Sequence, residues 1–168
     1  MPRPTLKHWA VLLALAAATL ALDQLSKTAI TARLYPGETV IPIPALGEVF
    51  RIVRTQNTGA AFGMFSGAGD IFTVIALIAV VGMLIAHGRS PANAWAQRIG
   101  MALVMGGALG NVVDRLQYGH VVDFINYRIP GVLSNVSNLA DHAVVGGVFV
   151  LVWLSWRASP GSPPAPEA

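Results

Sequence analysis

The chain has 168 residues, 54% of them hydrophobic and only 11% charged, with a mean hydropathy of +0.60. Soluble domains carry about a quarter charged residues, so the composition excludes an ordinary soluble domain and predicts one compact membrane bundle. A formal charge of +3 and a pI of 9.8 raise nucleic acid as a partner, but no basic run or aromatic-interleaved patch supports it. There are no cysteines, which excludes disulfides and thiol chemistry.

Four apolar segments follow in chain order, about 9–30, 70–86, 95–116 and 139–156. A spanning helix needs roughly 20 residues, with about 17 at the low end, and all four qualify once their flanks are counted. Trp9, Trp95, Trp153 and Trp156 lie near the predicted ends, as amphipathic rings at a headgroup boundary should. The first segment also has the outline of a cleaved signal peptide, with Arg3 and Lys7 ahead of an apolar run. Against that reading, Asp23 and Lys27 continue the helix as an i,i+4 acid–base pair, so the segment is expected to be retained.

An even number of spans puts both termini on one side. Arg3, Lys7, Arg89, Arg98 and Arg157 mark that side as cytoplasmic, although Arg33, Arg51, Arg54, Arg115 and Arg128 fall opposite. Asp23, Glu38, Glu48, Asp70, Asp114, Asp123 and Asp141 all fall on or near that second side, which is therefore where a site is expected.

Between the first two spans, Thr39–Ile43 and Val49–Arg54 read as short β segments around an Ala45–Glu48 turn. Pro42 and Pro44 restrict the first to an edge or to irregular extended chain. Gln56 to Gly63 is glycine-rich and reads as a loop, with Met64 and Phe65 beyond it dipping toward the interface. Gly106 and Gly110 form a GxxxG that lets helix backbones approach in lipid, and Gly146 and Gly147 are candidates for the same role. Tyr118 to Ser137 reads as a connecting stretch, and the Pro/Ser-rich residues from Ala158 as a disordered tail. The fold class is thus an all-α membrane protein, a four-transmembrane-helix bundle with a small extramembrane β element between helices 1 and 2. Residues 1–157 make a single domain and 158–168 the tail.

Asp123 lies among Val121, Val122, Phe124 and Ile125, where a turn or strand-end role competes with a catalytic one. Asn138 and Asp141 open the last span as an N-x-x-D pattern, and a capping box explains them without chemistry. Together the two acids say more. No span separates them, so they emerge on one membrane face, and closing the loop between them costs little. Two close carboxylates in a low-dielectric site retain one proton, so one can take a proton from water while the other donates to a carbonyl oxygen. Asp114 competes for that work, with Asn111 and Arg115 on its helix face and Arg115 a ready partner for it or for a neighbouring loop. Asp23 with Lys27 reads as a stabilising pair.

Other chemistries fit less well. His120 and His142 adjoin the acids, but no H-E-x-x-H or common zinc spacing is present, so neither metal nor cofactor is expected. The serines lack a nucleophile elbow or a Ser/Lys pairing. The rival from another class is a small transporter using intramembrane acids as a relay. It requires acids deep along a path through the bilayer rather than clustered at one face.

Five blocks occur in order: Asp23-Gln24-Leu25-Ser26-Lys27, Asn57-Thr58-Gly59-Ala60-Ala61-Phe62-Gly63, Gly106 to Arg115, Gly119-His120-Val121-Val122-Asp123-Phe124 and Asn138-Leu139-Ala140-Asp141. In this the chain resembles the bacterial lipoprotein signal peptidases, or signal peptidase II, over nearly everything except the tail. The resemblance implies an aspartic endopeptidase of the cytoplasmic membrane, with its site near the outer face. Such an enzyme removes the signal peptide from lipidated prolipoproteins, cutting before a diacylglyceryl-modified cysteine. It implies Asp123 and Asp141 as the catalytic dyad, with Asp23, Lys27, Asn57, Gly59, Asn111, Asp114, Arg115 and Asn138 as supporting groups. Prolipoprotein substrates and membrane lipid are the partners it implies, with a monomer expected. One departure is Asn135-Val136-Ser137 before Asn138, where the family often has an aromatic; it touches packing rather than chemistry.

Overall fold

The computed structural model describes residues 2–59 and 69–158. The expected loop Ala60–Gly63, the interfacial Met64 and Phe65, and the tail beyond Ala158 lie outside the described residues; Ala158 itself closes the last helix. Four helices, α1 (Leu6–Thr31), α2 (Gly69–Arg89), α3 (Trp95–Tyr118) and α4 (Leu139–Ala158), are each long and apolar enough to cross a membrane. At about 1.5 Å per residue, the shortest reaches roughly 30 Å, the thickness of the hydrocarbon layer. Each outruns its apolar run because polar flanks complete the last turns. Gly119, at φ 73°, ends α3 in the left-handed conformation that favours glycine.

α3 is the hub. It packs against α1, α2 and α4 and is the most buried of the four, while the outer helices turn Leu22, Ile78, Val81, Phe149 and Val152 outward, as a lipid-facing surface requires. Close approach is set by glycines. A Cβ at Gly106 would lie 2.5 Å from the Ala16 carbonyl oxygen of α1, one at Gly107 would strike the Ala140 carbonyl of α4, and one at Gly147 would lie 2.6 Å from the Gly100 carbonyl. Gly147 therefore does what the sequence suggests, but Gly146 does not: nothing lies within 4 Å of a Cβ there. At the Trp95 end of α3 the core is apolar, built on Leu12, Ala16, Met101, Ala102 and Met105.

The extramembrane element is larger than the sequence suggests. β1 (Thr39–Val40), β2 (Phe50–Asn57), β3 (Val121–Ile129) and β4 (Leu133–Ser137) form one antiparallel sheet in the order β1-β2-β3-β4. The α1–α2 connection supplies only half of it. The other half comes from Tyr118–Ser137, read above as a plain connection. The residues before α4 hairpin back because Pro130 and Gly131 (φ 75°) make the turn, and β3 finds a partner on each side. Pairing also carries β2 through Gln56 and Asn57, opposite Val122 and Val121, where a loop was expected. Pro42 confines β1 to two residues, and a short 3-10 turn at Pro44–Leu46 replaces the expected turn. Arg54 Nη1 donates to the Thr31 and Leu34 carbonyls (3.3 and 2.8 Å), which fastens the sheet to the end of α1.

Candidate active site

The sheet end and the helix ends meet around Asp123. It sits on β3 opposite Thr55, 2% exposed. Its Oδ1 accepts from Asn138 Nδ2 at 2.6 Å and its Oδ2 from Asn57 Nδ2 at 2.9 Å. Both donors are held in orientation. Asn57 Oδ1 accepts the Gly59 N–H at 3.0 Å, and Asn138 Oδ1 accepts the Asp141 N–H at 2.9 Å, capping α4. Asn138 is thus both the cap and a donor to Asp123, so the structural and functional readings of this residue are the same geometry.

Asp141, half-buried in the first turn of α4, does not reach back to complete the capping box. Its Oδ1 instead accepts from Asn111 Nδ2 on α3 at 2.8 Å, because the close α3–α4 contact at Gly107 brings Asn111 within reach. Asn111 Oδ1 in turn accepts from Lys27 Nζ at 3.1 Å and Asn138 Nδ2 at 3.3 Å. The amides therefore form a continuous chain from Lys27 to both carboxylates.

Behind them lies a buried ionic cluster. Lys27 Nζ bridges Asp23 (2.7 Å) and Asp114 (2.9 Å). Asp23 Oδ1 accepts the Ala140 N–H and Asp114 Oδ2 accepts the Val122 N–H, each at 2.9 Å. The cluster thereby fixes the residues adjoining Asp141 and Asp123. Asp114 pairs with Lys27 rather than with Arg115, since Gly110 lets α1 approach that face of α3. Arg115 takes the other expected partner, the loop, donating to the Gly59 carbonyl at 3.4 Å. Sequence reading missed Gln24 as a site residue. Its Nε2 donates to Asp114 Oδ1 (2.9 Å), the Gly110 carbonyl (3.1 Å) and Asp23 Oδ2 (3.2 Å); the available signal was an amide beside an acid inside an apolar span.

The electrostatics separate Asp123 from an ordinary carboxylate. Burial, reinforced by the charge of Asp141, pushes its pKa up to about 6, against the opposing hydrogen bonds from Asn57 and Asn138. His142 is not joined to the acids: its Nδ1 lies 2.6 Å from the Asn138 carbonyl oxygen and its ring packs on Tyr127.

A cavity of about 650 Å³ opens beside Asp141. Its head is polar, with Asn57, Asn111, Arg115 and Asp141. Its body is an apolar groove between α2 (Phe72, Ile75, Ala76, Ala79) and α4 (Val144, Val145), floored by Val104 and Ala108 of α3. A smaller pocket of about 310 Å³, lined by Thr55, Gln56, Asp123, Ser134 and Asn135 among others, reaches Asp123 from the sheet.

The family model for signal peptidase II matches residues 15–157. The chain belongs to the signal peptidase II family. Curated lipoprotein signal peptidases are among the relatives of this family member. One from Moorella thermoacetica is 40% identical over 141 residues, covering 84% of this chain and 89% of its own. One from Xylella fastidiosa is 36% identical, covering 99% and 100%. A solved bacterial membrane enzyme superposes with a TM-score of 0.83 at 24% identity, covering 100% of this chain and 99% of its own, so the fold is shared. The chain is a protease of this family and a multi-pass membrane protein.

Proposed function

We propose that this signal peptidase II is a membrane-embedded aspartic endopeptidase that removes the signal peptide from diacylglyceryl-modified prolipoproteins, cutting before the lipidated cysteine. The observation that carries the reading is the coupling of two carboxylates, Asp123 buried on β3 and Asp141 half-buried on α4 at the head of an apolar groove. A signal helix and its lipid can remain in the bilayer while the scissile bond reaches the interface.

Asp123, buried and with its pKa raised, is the member that holds the proton; Asp141 is the base. Water attacks the scissile carbonyl carbon as Asp141 takes its proton, and Asp123 donates to the carbonyl oxygen. When the tetrahedral intermediate collapses the C–N bond breaks, the proton on Asp141 passes to the leaving amine and Asp123 recovers its own. Asn57, Asn111 and Asn138 hold the carboxylates, while Asp23, Lys27 and Asp114 position the elements that carry them. Arg115 and Gly59 border the substrate path. Residues 1–157 act as one domain in the cytoplasmic membrane, with both termini cytoplasmic and the sheet outside, and the enzyme works as a monomer.

The test is incubation of purified enzyme with a diacylglyceryl-modified prolipoprotein peptide and its unlipidated twin. Cleavage of the first only is expected, and Asp123→Asn and Asp141→Asn should be folded and inactive. Normal processing by either variant would sink the dyad, and equal cleavage of both peptides would sink the lipid requirement.

A further inference from the structure

At the end of the bundle away from the sheet, near the start of α3, lies a buried cation that no acid among the described residues neutralises. Arg98 is 1% exposed and His87 is fully buried. Arg98 Nε and Nη1 and both ring nitrogens of His87 have no hydrogen-bond partner among the described residues. Arg98 makes one polar contact, Nη2 to the Ala92 carbonyl at 3.3 Å. Otherwise aromatic rings hold the pair: the guanidinium lies over Trp95 at 4.4 Å, and the Trp9 ring meets His87 edge-on at 4.5 Å. Arg98 lies within electrostatic range of His87.

Buried polar groups are almost always paired, and a buried guanidinium without a counter-charge is a costly exception that needs a reason. Among the described residues no acid supplies one: all seven belong to the sheet, to the loops that lead into it, or to the opposite helix ends. The cations that share this end of the bundle, Arg3, Lys7, Arg89 and Arg157, have the same sign as Arg98. Trp9 and Trp95 place the cluster at headgroup depth, where the abundant anion is lipid phosphate.

We propose that Arg98 and His87 hold the phosphate of an anionic phospholipid. Arginine N–H groups suit phosphate oxygens, and one histidine ring nitrogen carries a proton in either tautomer. Basic pockets between helices bind such headgroups, and the surrounding cations favour a lipid with net negative charge. Access requires a local opening. Ala92, whose carbonyl accepts from Arg98, is itself tied to the exposed N-terminal residues through one backbone bond, Ala92 N–H to the Pro2 carbonyl at 3.0 Å, and a headgroup reaches the nitrogens when this turn moves aside.

Thermal unfolding of the full-length protein in micelles, titrated with phosphatidylglycerol, phosphatidylcholine or inorganic phosphate, tests the proposal. Phosphatidylglycerol should raise the wild-type Tm by several degrees more than phosphatidylcholine. Arg98→Gln should lose that difference, and Arg33→Gln, at the opposite end, should keep it. If Arg98→Gln does not fold, His87→Gln replaces it with the same readings. Equal responses to the two lipids, or a difference that survives in Arg98→Gln, overturn the proposal. Inorganic phosphate giving the whole increment supports the phosphate chemistry and overturns lipid as its source. A lipid response that emerges only when residues 159–168 are removed makes Glu167 the native counter-charge, which also overturns it.

Discussion

Asp123 carries the clearest conflict between stability and chemistry in the molecule. A carboxylate in water titrates near 3.8, whereas burial beside Asp141 lifts this one to about 6. The group binds its proton more tightly folded than unfolded, so its contribution is fully present below 3.8 and is lost as pH rises through about 6. The gap corresponds to at most about 3 kcal/mol against the fold at neutral pH. Wild-type Tm should therefore fall between about pH 4 and pH 7, and Asp123→Asn should flatten that dependence; a slope retained in the variant would show that other groups cause it. In the proposed mechanism the same proton is needed for catalysis, because an ionised Asp123 cannot donate to the carbonyl oxygen. On this reading kcat/KM declines as pH rises through the pair's upper titration. The two asparagine donors oppose the shift of Asp123 without cancelling it.

At the level of elements, α3 is shaped by where it lacks side chains. Gly107 faces the Ala140 carbonyl and Val144 of α4, so Gly107→Ala should separate the helices and cost about 1–3 kcal/mol. Gly146→Ala meets nothing within 4 Å and should leave thermal unfolding unchanged; equal effects from the two would refute this account of the α3–α4 contact. The bundle was legible because an apolar run of this length in a charge-poor chain has few other uses, and its glycines could be seen, though not which one faced a neighbour. The sheet was half legible. Val121 to Ile125 are buried on both faces, which erases the alternation that marks a strand, and only the Pro130–Gly131 turn between two β-branched runs announced the hairpin. Asn57 looked like loop because its glycines dominate the window, while its strand pairing comes from β3, 64 or more residues away along the chain. Asp123 and Asp141 could be named from topology and resemblance. Asn138 could be named too, as a cap or as a supporting group; that it is both at once, donating to Asp123 while it caps α4, and that the Gln24 amide joins the ionic cluster, required coordinates.

The whole molecule divides between a buried ionic cluster that joins sheet to bundle and an apolar groove that opens to lipid. Among the described residues Lys27 is the only cation paired with Asp23 and Asp114, and through them it holds the N–H groups of Ala140 and Val122. Lys27→Met leaves buried carboxylates uncompensated and should cost about 3–5 kcal/mol, read as a lowered Tm together with lost activity; a stable, active variant would show that the cluster is not what fixes the dyad's elements. The groove makes a separate demand. It is bordered by Ala76 and Ala79 on α2 and floored by Ala108, small residues that leave width for a helix or acyl chain entering sideways from the bilayer. Ala79→Phe fills that width about two turns along α2 from Phe72, on a helix that carries none of the hydrogen-bond partners of Asp123 or Asp141 described above. A full-length lipidated substrate should then show a KM raised several-fold with kcat little changed, the pattern of lost binding common to ground and transition states. A short peptide that stops above the groove should be cleaved as before. If both substrates lost kcat together, the cavity would be part of the catalytic scaffold rather than the route by which substrate arrives.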